Sequence, residues 1–222
     1  MPATAHVLFL AALFWALYWT WKAWRSRWLL YVLLGWGAFQ AALAAKGFYA
    51  VTDAMPPRPV LLLLPMVVGI VALLASPAGR RFLRRGDLLA LTWLHVLRVP
   101  VEVVLHQGWQ AGLVPRMLTY EGVNFDILSG ISAPLIAWHL MRAPVPNKRV
   151  LLIWNVVCLL LLVNVVGRAV LSFPSPVQVL NLDEPMILVQ RLPWIWLPAV
   201  IVPMVLLAHV AALLKLLRGG GE

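Results

Sequence analysis

Seven long apolar segments most constrain what this chain can fold into. Each holds roughly 20 mostly apolar residues, enough for a helix that crosses the ~30 Å hydrocarbon core of a bilayer. The segments lie near residues 5–22, 29–51, 59–76, 87–107, 126–142, 149–171 and 194–217. The sequence therefore predicts an all-α membrane protein. We expect one polytopic domain over residues 1–222, built as a bundle of about seven transmembrane helices.

The composition supports lipid as the solvent for most of the chain. Hydrophobic residues make up 63% of the sequence and charged residues 12%, about half the charged fraction of a typical soluble domain. The single cysteine, Cys158, excludes a disulfide framework and a thiolate metal cluster. The first basic residue, Lys22, follows the first apolar segment. We therefore expect that segment to be a retained spanning helix and not a signal peptide.

The basic residues indicate the orientation of the chain. Twelve basic and two acidic residues fall in four alternate regions, 22–27, 80–87, 142–149 and 215–222, whereas the charges elsewhere cancel. An excess of lysine and arginine in short loops marks the cytoplasmic side of a membrane. The pattern predicts a multi-pass protein of the cell (inner) membrane, with its N-terminus outside and its C-terminus in the cytoplasm.

The same distribution bears on partners. Basic residues that lie between apolar helices do not form the folded basic groove of a nucleic-acid-binding protein. We expect the lipid bilayer as a partner and no nucleic acid. The cytoplasmic loops are short, so any signal would require a separate membrane protein partner.

The fourth segment carries the most informative polar residues. His95, Arg98, Glu102 and His106 are spaced by three, four and four residues, which places them within an arc of about 80° on one helix face. A lone arginine near mid-bilayer costs at least ~2.5 kcal/mol, so Arg98 must face the bundle interior or water. Glu102 is its expected partner, and Pro100 is expected to kink the helix. The stripe either ties helices together or lines a ligand cavity.

Other polar residues are expected to join this stripe. Asn155, Asn164 and Arg168 on the sixth segment are interpreted as lying on roughly one side, and an acidic stretch precedes the fifth segment. That stretch could converge with Glu102 and His106 in the outer half of the bundle, or Asp126 could simply cap the fifth helix. The candidate ligand-binding residues are Arg98, Glu102, His106, Glu121, Asn124, Asp126, Asn164 and Arg168.

Three functional hypotheses follow. The first is a protein that binds, senses or transports a small molecule or lipid, with Arg98 as the anchor of an anion. The second is a membrane-embedded metal-dependent hydrolase or transferase with Glu102 and His106 among the metal ligands, although no His-x-x-x-His pattern is present. The third is a haem b redox subunit with His95 and His209 as axial ligands. The sequence leaves open whether the chain is an enzyme and which cofactor, if any, it uses.

Overall fold

The protein is all-helical. The structure, a computed structural model, describes residues 1–218, which form helices joined by turns with no strand among them. The α-helices are α1 (Ala3–Trp24), α2 (Arg27–Ala45), α3 (Val60–Ala75), α4 (Pro77–Arg84), α5 (Leu88–Leu94), α6 (Arg98–Gln110), α7 (Ile127–Arg142), α8 (Lys148–Leu171) and α9 (Val202–Arg218). Residues 219–222, counted above in the basic C-terminal region, lie outside the described residues.

Side-chain caps begin four of these helices at the same end of the bundle. Ser26, Ser76, Asp87 and Asn147 precede α2, α4, α5 and α8, and each side-chain oxygen accepts a hydrogen bond from a backbone N–H in the first turn. Such caps satisfy donors that a helix start leaves unpaired. We call this end, which carries residues 22–27, 80–87, 142–149 and 215–218, the basic end. The opposite end, formed by residues 46–59, 111–126 and 172–196, is called the loop end.

The helices begin and end close to the predicted segments, except for α2 and for α4, which lies between the third and fourth segments and was not predicted. Helix α2 ends at Ala45 and not near residue 51, because Gly47 adopts a left-handed conformation with φ of 70°. A 3₁₀ turn, Phe48–Ala50, then folds back. In it the buried Tyr49 donates a hydrogen bond from its hydroxyl to Gln40 Oε1. The residues Phe48–Ala50 continue the apolar pattern of the second segment but not its helix, so the predicted end of that segment was too late.

A 3₁₀ turn, His95–Leu97, links α5 and α6. The backbone N–H of Arg98 donates to the carbonyl of His95, three residues back. Pro100, directly after the turn, has no N–H to donate to Val96. The helical run from Leu88 to Gln110 nevertheless continues as one candidate span, and its tightened turn before Pro100 is of a kind often found at functional sites.

Two helical runs form the centre of the bundle. In an apolar 18-residue stretch of each run, about 61% of the residues are buried in Leu88–Gln110 and 67% in Leu197–Leu217, against 17% in α2 and 22% in α8. The second central run opens with a π-helical turn, Leu197–Ile201. Helix α1 packs on α5 and α6, α7 packs on α5, and α3, α4 and α8 pack on α9.

The surrounding helices expose apolar side chains to the exterior. Within residues 1–218, five helical runs are long and apolar enough to cross a membrane, and a sixth results if α3 and α4, which meet at a bend of 99°, are counted together. The 16 residues of α7 make a shorter helix.

Candidate functional site

Arg98 lies at the centre of the buried polar residues. It begins α6 and is 2% exposed. Its Nη1 donates to Asp126 Oδ1 at 2.7 Å and to the carbonyl of Cys158 on α8 at 3.1 Å. A buried guanidinium requires such a charged partner and additional acceptors to offset its desolvation. The pair with Asp126 therefore supplies the main compensation for the charge of Arg98.

The partner of Arg98 is therefore Asp126. The sequence had suggested Glu102, and that expectation was wrong. Asp126 occupies the cap position of α7 without a side-chain cap hydrogen bond, because its carboxylate is turned toward Arg98. Glu102, also 2% exposed, accepts through Oε1 from Asn124 Nδ2 at 2.6 Å. Asn124 in turn accepts from the backbone N–H of Asp126 at 3.1 Å and donates to the carbonyl of Leu118. The 111–126 connection thus brings Asn124 and Asp126 into contact with α6.

The network continues to α8 and α9 on the other side of Arg98. Nη2 of Arg98 lies 3.1 Å from His209 Nε2, and His209 Nδ1 lies 3.0 Å from Asn155 Oδ1. A guanidinium only donates hydrogen bonds, so His209 Nε2 must accept. Its proton therefore sits on Nδ1 and is donated to Asn155. One chain of hydrogen bonds consequently runs from Asn155 through His209 and Arg98 to Asp126.

The two histidines proposed as haem ligands touch each other. The rings of His95 and His209 stack with their centroids 4.1 Å apart and an interplanar angle of 24°. Axial ligands of one haem bind on opposite faces of the porphyrin, and this stacking leaves no space for a porphyrin between the rings. The geometry does not fit the haem hypothesis. Trp154 of α8 packs edge-on against His95.

The residues proposed as metal ligands are only partly brought together. His106 Nδ1 lies 3.7 Å from Glu121 Oε1 and the ring of His106 stacks on Tyr120, near a Glu121 side chain that is 41% exposed. Glu102, one turn away on the helix, is held by Asn124 instead. Within residues 1–218 no three His, Cys, Asp or Glu side chains form a group that could hold a metal ion.

The polar residues of α8 divide between two sides. Arg168 Nε donates to Asn164 Oδ1 at 2.9 Å, and Arg168 Nη1 lies 3.2 Å from the sulfur of Met117. Asn155, by contrast, is buried in the Arg98 network. The expectation that all three share one side was wrong, because the nine residues from Asn155 to Asn164 make about two and a half turns at ~100° per residue, which puts the two side chains on opposite faces.

A cavity of about 120 Å³ adjoins the network in the half of the bundle nearer the loop end. Helices α3, α6, α8 and the start of the α9 run form its walls, and the 111–126 and 172–196 connections close it at the loop end. Of the 23 lining residues, the polar ones are Arg98, Glu102 and Asp126. The remainder are apolar, so the walls of the cavity are apolar. The side chains of Arg98, Glu102 and Asp126 together are called its floor.

Two buried polar atoms on this floor have no hydrogen-bond partner in the part of the chain that the structure describes. They are Arg98 Nε and Glu102 Oε2. Buried polar atoms of this kind are rare in native proteins and call for an explanation. Both side chains line the cavity, so a molecule that enters it lies beside two side chains whose hydrogen-bonding capacity is not fully used within residues 1–218.

The polar side of α6, the 124–126 stretch and Asn155 were predicted from the sequence, whereas the apolar walls of the cavity were not. The wall residues of α3, α8 and α9 carry no signal that distinguishes them from apolar residues on the outer surface. His209 was considered only as a haem ligand, and the cost of a polar residue in an apolar helix was the signal that could have joined it to Arg98.

Comparison with protein families places the site within a known domain. A family model described as a domain of unknown function, DUF8737, matches residues 55–217, which is 163 of the 222 residues. The chain belongs to the DUF8737 family. The cavity lining runs from Pro59 to Val205 and the network ends at His209, so the whole site lies within the DUF8737 region. Helices α1 and α2 lie outside it. Neither the curated proteins nor the solved structures gave a match to the chain.

Proposed function

We propose that the chain is a seven-helix integral protein of the cell (inner) membrane that binds a small molecule or lipid in the cavity beside Arg98, in order to sense or transport it. The observation that carries this proposal is the cavity itself. Three buried charged side chains, Arg98, Glu102 and Asp126, line an otherwise apolar cavity of about 120 Å³. Ionisable residues inside a membrane are costly and are typical of functional sites.

Exposed apolar side chains support the membrane location. Phe14 of α1 is 68% exposed, and Ile153 and Leu160 of α8 are each 62% exposed. Large apolar surfaces of this kind require an apolar solvent. In a bilayer, α1, α2, α3, the α5–α6 run, α7, α8 and the α9 run would alternate in direction. An odd number of crossings places the termini on opposite sides, and the basic end then faces the cytoplasm.

Cysteine labelling tests this orientation. In a Cys158→Ala background, we expect Asp183→Cys at the loop end to react with a membrane-impermeant maleimide on intact cells. Arg81→Cys at the basic end should react only after permeabilisation. Both native side chains are exposed, so burial cannot protect either position. The opposite pattern of labelling would overturn the orientation, and recovery of the protein in the soluble fraction would overturn the membrane proposal.

The size of the cavity suits part of a small apolar molecule. An apolar cavity of ~150 Å³ holds one benzene molecule, so this one accommodates a ring or a short alkyl segment. Its rim includes Leu63, Val166 and Val202, which are half-buried, and Val170, which is 49% exposed. These side chains face both the cavity and the exterior. A longer alkyl chain can therefore leave the cavity between α3 and α8 toward the lipid.

Filling the cavity tests the binding proposal. Ala169 of α8 lines the cavity, so Ala169→Phe should occupy it. The control, Val163→Phe, adds a phenylalanine to the same helix at a position that is 57% exposed and outside the lining. We expect native mass spectrometry to show a bound molecule on the wild type and on Val163→Phe but not on Ala169→Phe. A bound molecule that persists on Ala169→Phe, or its absence from the wild type, would contradict the proposal.

A further inference from the structure

The charge of the cavity floor limits what can bind there. The guanidinium of Arg98 is neutralised by Asp126 at 2.7 Å, and its two Nη atoms already bond to Asp126, Cys158 and His209. Only Nε remains without a partner within residues 1–218. Three of its five N–H groups make these bonds, so Arg98 keeps the Nε–H and one Nη2–H for a further partner and has no uncompensated positive charge. The expectation that Arg98 anchors an anion does not fit this pairing.

Glu102 supplies the second group on the floor. Its Oε1 is held by Asn124, whereas Oε2 has no partner among the described residues and Glu102 forms no ion pair there. The floor thus presents a donor on Arg98 and a carboxyl oxygen on Glu102, one helical turn apart. A compact group that both accepts and donates hydrogen bonds can satisfy both atoms.

We propose that the cavity selects an uncharged amphiphile, with a hydroxyl head group hydrogen-bonded to Arg98 Nε and Glu102 Oε2 and an alkyl chain that extends between α3 and α8. This ligand class rests on the proposed function, because it assigns a chemistry to the same cavity. The hydroxyl oxygen accepts from Nε–H and its proton is donated to Oε2.

Charged head groups fit less well. A carboxylate would add a negative charge next to Glu102 while the arginine is already paired, and a buried charge without a partner is costly. An ammonium group could pair with Glu102 but cannot accept from Arg98 Nε–H, and it would lie beside the guanidinium. A plain alkane would leave both polar atoms unsatisfied.

A head-group series on one alkyl chain tests the proposal. The probes are dodecan-1-ol, dodecanoate at a pH where it is ionised, dodecylammonium and dodecane, each titrated into the full-length protein in lipid nanodiscs. A ligand that binds only the folded state raises the unfolding temperature, and at one ligand concentration the increase is larger for a tighter ligand. We expect dodecan-1-ol to bind at least about tenfold more tightly than the other three probes.

The Asp126→Asn variant gives the matched test of charge. It leaves the guanidinium of Arg98 without its counter-ion, so dodecanoate should now bind more tightly than dodecan-1-ol and should restore stability to the variant. The control Asp183→Asn makes the same change on an exposed residue of the 172–196 connection and should keep the wild-type order. If Asp126→Asn does not fold, the order of the four probes on the wild type decides alone.

The outcomes separate the two proposals. If none of the four probes binds the wild type, the binding function itself is wrong. If probes bind but the carboxylate, the ammonium or the alkane equals or exceeds the alcohol, the hydroxyl assignment fails and the cavity remains a binding site of another specificity. An unchanged preference for the alcohol in a folded Asp126→Asn variant would also overturn the assignment.

Discussion

Replacing Arg98 by methionine will lower the free energy of unfolding by about 3–5 kcal/mol, the usual cost of removing one partner from a buried ion pair. The change leaves Asp126, 5% exposed, without its counter-ion, and it also removes the donors to His209 and Cys158. The converse change, Asp126→Leu, leaves the guanidinium unpaired and should cost a similar amount. Reversible unfolding in mixed detergent and SDS measures both.

The double variant Arg98→Met/Asp126→Leu is the decisive comparison. Replacing a whole buried pair by apolar residues is often neutral or stabilising, so we expect it to recover most of the loss seen in either single variant. Arg168→Met serves as the control for loss of an arginine. Arg168 is half-buried, with Asn164 and Met117 as its partners, and its removal should cost about 1 kcal/mol or less. A double variant no more stable than the singles would show that the pair does not act as a unit.

Gly130→Ala will destabilise the protein by about 1–3 kcal/mol, the typical cost of overpacking. A Cβ at Gly130 of α7 would lie 2.9 Å from the backbone nitrogen of Val99 and 3.2 Å from Cβ of Arg98. Helices α6 and α7 would have to separate at the point where Arg98 meets Asp126. We therefore expect loss of ligand binding together with the loss of stability, both measured on purified protein.

Gly167→Ala is the matched control for that change. Gly167 lies within α8, and a Cβ there meets nothing within 4 Å. Alanine favours a helix interior over glycine by roughly 0.5–1 kcal/mol, so this variant should be neutral or slightly more stable. Equal effects of the two substitutions would indicate that close contact between α6 and α7 does not determine the result at Gly130.

The long helices could be predicted from the sequence because each is an apolar run bounded by prolines or capping residues, whereas the short, arginine-rich α4 was not predicted. Hydropathy could not separate a helix from an apolar turn, as the residues after Ala45 show. The π-helical turn Leu197–Ile201 was missed for the same reason, since its residues continue the apolar pattern. Within residues 1–218, five or six of the runs have the length and hydropathy of a membrane span. Helix α7, with 16 residues, is shorter than these spans, so a seventh crossing through α7 is a proposal.

The site was predictable in part. Spacing on one helix placed Arg98 and Glu102 together on the buried side of α6, and both are 2% exposed. Spacing also favoured an ion pair between residues four apart, yet Arg98 pairs with Asp126, 28 residues away. That choice depends on how the 111–126 connection folds back over α6, which no local pattern encodes. The cavity walls depend in the same way on the packing of distant helices.

The short length of α3 and α7 would have a consequence in a bilayer. Each has 16 residues, or about 24 Å at ~1.5 Å per residue, whereas the 24 residues of α8 reach about 36 Å. A hydrocarbon core of ~30 Å is thicker than the two short helices and thinner than α8. Acyl chains would have to compress beside α3 and α7, while α8 tilts. Because α3 and α8 border the cavity, membrane thickness would alter the width of the passage between them.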